Sequence, residues 1–71
     1  MERKKLNIII KDITLYSSIS VFKIIELIFI KLGDEYEITI NPNKIKDNHS
    51  KNIILDRVDY TIDEIMELIN T

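Results

Sequence analysis

The sequence lacks cysteine, tryptophan, alanine and glutamine, and it has only one glycine, one proline and one histidine in 71 residues. Without cysteine the chain has no disulfide framework, thiol nucleophile, iron–sulfur cluster or cysteine-based zinc site. With a single histidine, a histidine-based metal site would have to rely on carboxylates or on a second chain. The sequence therefore predicts no metal site and no cofactor.

The net charge of the chain is also small. The formal net charge of −2 gives no large basic field for nucleic acid. Charged residues at 31% argue against a membrane-embedded protein, and hydrophobic residues at 45% argue against disorder. Seventeen isoleucines dominate the apolar set, and their stiff side chains suit a dense core. We expect one domain over residues 1–71.

The N-terminus has a superficial likeness to a signal peptide. Three basic residues within residues 1–5 precede an apolar run, but that run stops at Lys11 and Asp12, and no small-residue cleavage site follows. We interpret residues 1–5 as a solvated tail that enters a strand. With no export signal and no disulfides, we expect a cytoplasmic protein that does not associate with a membrane.

Residues 6–15 predict β structure with one break in its pattern. Leu6, Ile8 and Ile10 share one parity and Ile13 and Leu15 share the other, so the alternation flips between residues 10 and 13. A bulge in one long strand would shift the inward face by one residue. A tight hairpin turn at Lys11 and Asp12 also fits, but such a turn usually needs glycine or asparagine. The bulged strand is therefore favoured.

Residues 19–32 predict a long helix, with Ser17 and Ser18 as N-cap candidates and Gly33 just past its end. Its broad apolar arc, which we expect to face the core, comprises Val21, Phe22, Ile24, Ile25, Ile28, Phe29 and Leu32. Three more apolar residues lie among the polar residues of the opposite side: Ile19, Leu27 and Ile30. Because a contiguous apolar patch on a small domain often marks an interface, these three are our candidates for contact with a partner.

Two strands and a short helix complete the chain. Residues 36–40 alternate with period two and predict a strand, residues 44–52 form a polar loop, and a further strand starts at Ile53. Thr61 and Glu64 fit a capping box at the start of the last helix. This helix is short, so it must dock against the rest of the domain.

The predicted order is strand, helix, strand, strand, helix. We expect the second and third strands to pair as a hairpin, with the third strand inserted between the other two and every pairing antiparallel. Both helices then cover one face of a three-stranded sheet, which gives a two-layer α+β sandwich. The other face would expose Ile9, Ile54 and Val58. The alternative is a β-grasp-like arrangement built on a hairpin at Lys11 and Asp12.

Few residues offer chemistry. His49 lies in the polar loop, where a histidine can act as a general acid or base, but spacing fixes no catalytic partner for it. Several carboxylates have helix-capping or strand-surface explanations, and no EF-hand pattern is present. We therefore expect no catalytic residue and no enzyme. Lys44, Lys46 and Lys51 make the loop basic, which is the basis of a nucleic-acid-binding hypothesis.

One family resemblance adds to this reading. The segment Ile13-Thr14-Leu15-Tyr16-Ser17-Ser18, then Val21 and Lys23-Ile24, followed by the strand Tyr36-Glu37-Ile38-Thr39-Ile40, resembles the small D-type protein of the His-Xaa-Ser peptide-modification system. The similarity covers roughly residues 6–60. The chain departs from the family at Ile24-Ile25-Glu26-Leu27, where an Ala-Ala-Tyr-type stretch is usual, and in its shorter C-terminal helical part.

The resemblance implies an accessory protein encoded with radical-SAM maturases and a ribosomal precursor peptide. We expect a non-enzymatic adaptor that binds a peptide or a partner enzyme through an apolar helix face or an exposed sheet edge. The second hypothesis is a self-associating structural or regulatory protein of the phage or toxin–antitoxin type, with Leu27 and Ile30 in a symmetric interface. Nucleic-acid binding is the third.

Overall fold

A computed structural model describes residues 3–41 and 45–71 of the chain. The elements in chain order are β1 (Lys4–Ile10), a short 3₁₀ helix (Ile13–Leu15), α1 (Ser18–Leu32), β2 (Tyr36–Asn41), β3 (Lys51–Leu55) and α2 (Ile62–Asn70). Two helices and a three-stranded sheet confirm the predicted α+β composition. No helix of the described ranges has the length and apolar character needed to cross a bilayer.

The strand directions correct the predicted topology. The sheet has the order β2-β1-β3, and β1 pairs in parallel with both neighbours. The antiparallel sheet, the hairpin of the second and third strands and the central position of the third strand are therefore wrong. β2 and β3 lie on opposite sides of β1, so the segment between them is a crossover and not a hairpin loop. The β-grasp alternative fails as well, because it needs a hairpin after the first strand.

The segment at Lys11 and Asp12 is neither a bulge nor a hairpin. β1 ends at Ile10, and the two residues form a turn that leads into the 3₁₀ helix. Asp12 has a φ of 52° and a ψ of 41°, a left-handed conformation that aspartate adopts more readily than most side chains. The flip in hydrophobic alternation marks this turn, which directs the chain from β1 towards α1.

Both helices pack on the same face of the sheet, as predicted. The buried core residues are Leu6, Ile8, Ile10, Val21, Ile24, Ile28, Leu32, Ile53, Leu55, Ile65 and Ile69. Four of them come from α1, at positions 21, 24, 28 and 32. This stripe is narrower than the predicted arc, because α2 and the strand side chains fill the rest of the core. Phe22 and Phe29 lie outside it and are exposed.

Local hydrogen bonds fix both ends of α1. The Ser17 hydroxyl accepts from the Ser20 amide at 3.2 Å, which satisfies one of the first-turn donors. At the other end Gly33 has a right-handed φ of −62°, so conformational freedom is not why glycine is needed there. A Cβ at this position would lie 2.5 Å from the Phe29 carbonyl oxygen. Glycine therefore leaves room for the Phe29 carbonyl oxygen at the C-terminal end of α1.

Candidate functional site

The carboxyl edge of the sheet is where open parallel sheets usually bind ligands. Here the chain's own groups join the segments that leave β1 and β3 at this edge. The Lys11 amide donates to the Leu55 carbonyl oxygen at 2.8 Å. The Tyr16 hydroxyl donates to the Asp56 carbonyl oxygen, also at 2.8 Å. This part of the edge is therefore occupied by structural contacts.

Arg57 is the centre of a side-chain cluster before α2. Its guanidinium pairs with Glu64, lies 3.5 Å from an Asp59 carboxylate oxygen, and stacks 4.1 Å from the centroid of the Tyr60 ring. The Tyr60 hydroxyl donates to the Asp56 carboxylate, and this hydrogen bond lowers the pKa of Asp56. Burial raises the pKa of Tyr60. These side-chain contacts join residues 56–64 to one another, so the cluster serves to fix the start of α2.

The capping box makes the stability of this region pH dependent. The Thr61 amide donates to the Glu64 carboxylate at 3.0 Å, and this bond and the Arg57 pair lower the pKa of Glu64 below its ordinary 4.5. The stabilisation is complete above the ordinary value and is lost as the pH falls through the lower, folded value. As the pH drops from about 5 to about 3, we expect the free energy of unfolding to decrease less in Glu64→Gln than in wild type.

Urea denaturation across this pH range provides the measurement for Glu64→Gln. Glu67→Gln, on the exposed side of the same helix, is the matched control and should follow wild type. Some acid sensitivity should remain in every variant, because the pKa values of Asp47 and Asp56 are also lowered. Equal slopes for Glu64→Gln and wild type would contradict the role assigned to the capping box.

The second face of the sheet, opposite the helices, carries the described part of the connection between β2 and β3, residues 45–50. Asn7 points to this face from the central strand and is only 1% exposed. Its amide nitrogen donates to the Ile45 carbonyl oxygen at 3.1 Å and to the Asn52 side-chain oxygen at 2.8 Å. The Asn41 amide nitrogen donates to the same Ile45 carbonyl at 2.9 Å. An asparagine from each strand therefore takes part in holding this connection.

Asp47 organises the rest of the connection. Its carboxylate accepts from the His49 amide at 2.8 Å and from the Ser50 hydroxyl at 2.9 Å, and these bonds lower the pKa of Asp47. The bond from His49 is a main-chain one, and the residue itself is exposed. Within residues 3–41 and 45–71, no three histidine or acidic side chains form a group that could hold a metal ion.

Two of the three loop lysines lie in the described part of the chain. Lys46 is exposed, whereas the Lys51 ammonium donates to the Thr71 carbonyl oxygen at 2.6 Å. Lys44 lies outside the described residues. The nucleic-acid hypothesis stays a prediction.

An exposed apolar surface runs along α1 and the adjoining 3₁₀ helix. Its large side chains are Leu15, Ile19, Phe22, Phe29 and Ile30. On α1 they share one side with two exposed charged residues, and we name this side the α1 outer face: Ile19, Phe22, Lys23, Glu26, Phe29 and Ile30. Exposed apolar residues that cluster in this way, unlike scattered ones, are typical of interaction sites.

The three interface candidates from the sequence fall in two places. Ile19 is 69% exposed and Ile30 is 67% exposed, and both lie on the α1 outer face. Leu27 is half-buried and packs against the core, so it lies on the flank of the helix. The structure therefore brings Ile19 and Ile30 together on one surface and separates Leu27 from them.

The expected apolar patch on the uncovered sheet face does not form. Ile9 is buried, and Val58 packs against the core on the other side. Ile54 is the exposed member of the three. The second sheet face is instead a largely polar surface that carries the β2–β3 connection.

Sequence reasoning missed the two phenylalanines of the α1 outer face. Phe22 is 69% exposed and Phe29 is also exposed, whereas the sequence predicts both on the core arc. The signal that could have found them is the completeness of the stripe at positions 21, 24, 28 and 32, which already gives a core-facing repeat. With α2 covering part of the same sheet, a wider arc on α1 is unnecessary.

An open groove lies between the 3₁₀ helix and the start of α1. Its volume is about 280 Å³, and its lining residues are Ile13, Thr14, Tyr16, Ser18, Val21 and Phe22. The lining is mostly apolar, and two of its residues, Thr14 and Ser18, carry hydroxyl groups. Such a groove suits a bulky apolar side chain that is followed by polar backbone groups.

Comparison of the chain with protein-family models, with curated proteins and with solved structures found no match.

Proposed function

We propose that this protein is a non-enzymatic accessory protein that binds an apolar segment of a partner polypeptide in the groove between the 3₁₀ helix and α1. The observation that carries the proposal is the exposure of Phe22 beside a cavity of about 280 Å³ with an apolar lining. Leu15 and Ile19, both exposed, adjoin the lining residues in sequence. The protein keeps these side chains in water, at a cost that a bound partner would remove.

The chemistry of the groove defines the segment that would bind. An aliphatic or aromatic anchor would fill the space against Val21 and Phe22, and burial of one such side chain contributes about 1.5–3 kcal/mol. The hydroxyl groups of Thr14 and Ser18 offer hydrogen bonds to the backbone beside that anchor. A few buried anchors carry most of the energy in protein interfaces, so one side chain seated in this groove is the contact to test first.

The pathway follows from the family resemblance alone. It implies that the partner is a radical-SAM maturase or its ribosomal precursor peptide, in the cytoplasm. Both partners are polypeptides, which is the class of partner that the groove is proposed to bind. The proposal therefore joins a surface seen in the fold to a partner class implied by the sequence.

The proposal is tested by co-expression of the tagged protein with the products of the genes that flank its own. Wild type should retain one of these products through purification, and Phe22→Glu should weaken the affinity about tenfold or more, because it places a charge against the apolar lining. Thr39→Glu, an exposed residue on the second sheet face, is the matched control and should bind as wild type does.

Two outcomes would contradict the proposal. One is that Phe22→Glu binds the partner as tightly as wild type while its circular dichroism spectrum is unchanged. The other is that a monodisperse wild-type protein retains none of the flanking gene products. A short peptide of the captured partner, titrated into labelled protein and followed by NMR, should shift the amide signals of Thr14 and Ser18 before those of β2.

A further inference from the structure

The α1 outer face has a pattern that fits a second copy of itself. Its central residues are Ile19, Lys23, Glu26 and Ile30, at spacings of four, three and four. This repeat places all four on one line along the helix, as in the seam of a helix pair. All four are exposed, and among the described residues no ion pair joins Lys23 or Glu26 to another side chain.

The four positions are symmetric about the midpoint between residues 24 and 25. When two copies of α1 pack antiparallel about a two-fold axis at that point, Ile19 of one copy lies opposite Ile30 of the other. Lys23 then lies opposite Glu26, and the same pairs repeat on the other side of the axis. A two-fold interface must be complementary to itself, and this register satisfies the condition in both shape and charge.

We propose that α1 forms an antiparallel homodimer through Ile19, Lys23, Glu26 and Ile30. A parallel pair would place Lys23 against Lys23 and Glu26 against Glu26, which is unfavourable, so the charges select the antiparallel arrangement. α1 has 15 residues and is about 22 Å long, so the contact belongs to the class of small, reversible interfaces. We expect a dimer that dissociates on dilution.

The proposal goes beyond the peptide-binding function, and its charged residues, Lys23 and Glu26, have no part in that function, although Ile19 adjoins the groove. None of Ile19, Lys23, Glu26 and Ile30 lines the groove. A dimer would therefore present two grooves, one on each copy.

Charge reversal provides the decisive experiment, with mass measured by sedimentation equilibrium from micromolar to millimolar concentration. In a dimer of Lys23→Glu, each introduced acid faces Glu26 of the other copy, and in a dimer of Glu26→Lys, each introduced base faces Lys23 of the other copy. Each variant alone should associate about tenfold or more weakly than wild type. An equal mixture of the two variants should restore the dimer, because every facing pair is then a Lys–Glu pair. The double variant K23E/E26K should also restore it.

Disulfide trapping gives an independent measure of the register, and the native chain has no cysteine to interfere. A mixture of Ile19→Cys and Ile30→Cys proteins should form a crosslinked pair under mild oxidation. Ile19→Cys alone should not, because the two copies of residue 19 would be at least about 16 Å apart along the helix axis. Disulfide formation needs Cα atoms within about 7 Å.

Each outcome decides the proposal. A wild-type protein that is monomeric at every concentration overturns it, as does a single charge reversal that leaves association unchanged. Failure of the mixture to recover the dimer overturns the antiparallel register. Partner capture by Lys23→Glu separates the two proposals: capture without dimerisation means that the groove is right, and dimerisation of wild type without capture means that the groove is wrong.

Discussion

Asn7→Asp should strongly destabilise the protein at neutral pH, although the two side chains have nearly the same shape. The Asn7 amide group donates to two oxygen acceptors, the Ile45 carbonyl and the Asn52 side chain, at a site that is 1% exposed. A carboxylate has no proton to donate and would place a buried negative charge against both oxygens. We expect the free energy of unfolding to fall by at least about 3 kcal/mol, a large part of the total for a domain of this size.

The loss of stability in Asn7→Asp should become smaller as the pH falls. Burial without a donor favours the neutral acid, so the pKa of the introduced carboxyl in the folded protein would be raised. A protonated acid can donate one hydrogen bond. The gap in free energy of unfolding between the variant and wild type should therefore narrow below neutral pH. The gap, not the absolute stability, is the quantity to compare, since wild type itself loses stability in acid.

Asn48→Asp is the matched control for this prediction. It introduces the same charge into the same connection between β2 and β3, but at an exposed position. Its free energy of unfolding should stay within about 0.5 kcal/mol of wild type. Urea denaturation of both variants between acidic and neutral pH gives the comparison. If Asn7→Asp were as stable as Asn48→Asp at neutral pH, Asn7 would not be the buried anchor of this connection.

Ile28→Ala should cost about 3–4 kcal/mol, and Ile30→Ala on the same helix should cost less than about 0.5 kcal/mol in the monomer. Ile28 is completely buried between α1 and the sheet, so alanine loses the transfer energy of its side chain and leaves a cavity. Ile30 is exposed, and truncation there removes little buried area. The two changes are chemically identical, which isolates the effect of burial.

Thermal and urea unfolding at low protein concentration measure this pair of variants without a contribution from association. Ile28→Val provides an intermediate point at about 1 kcal/mol if the alanine variant does not fold. Equal losses at the two positions would mean that α1 does not use the core stripe at residues 21, 24, 28 and 32.

Local patterns predicted most of the elements because each depends on neighbouring residues. The alternation in residues 36–40 predicted β2, which spans Tyr36–Asn41. The capping box at Thr61 and Glu64 predicted the start of α2, and both of its reciprocal hydrogen bonds are present. The long apolar segment predicted α1, which begins one residue earlier than expected, at Ser18.

Strand direction was predicted wrongly because alternation reports which side of a strand is covered, not which way its neighbour runs. One signal in β1 was informative: Ile8-Ile9-Ile10 is a continuous apolar run, which is typical of a central strand buried on both faces in a parallel sheet. The polar loop between the two strands predicts a hairpin connection. In the fold its Ile45 carbonyl bonds to Asn7 on the central strand, 38 residues away.

The candidate surface was predicted in part. Ile19 and Ile30 were chosen because they interrupt the polar side of a helix, a property visible in any helical projection. The groove was not visible, because it depends on the left-handed turn at Asp12 and on the 3₁₀ helix that packs beside α1. Whether Leu27 or the two phenylalanines faced solvent depended on where α2 docks.

The absence of cysteine and the surplus of isoleucine by themselves determined that this domain is held by an apolar core without disulfides. The sequence also determined its helices and the edge strand β2, because capping and periodicity act over a few residues. Only the tertiary structure decided the parallel sheet, the asparagine anchor on its second face and the identity of the exposed helix side. These depend on which distant segments pack together and exclude water, and a local sequence pattern does not contain that information.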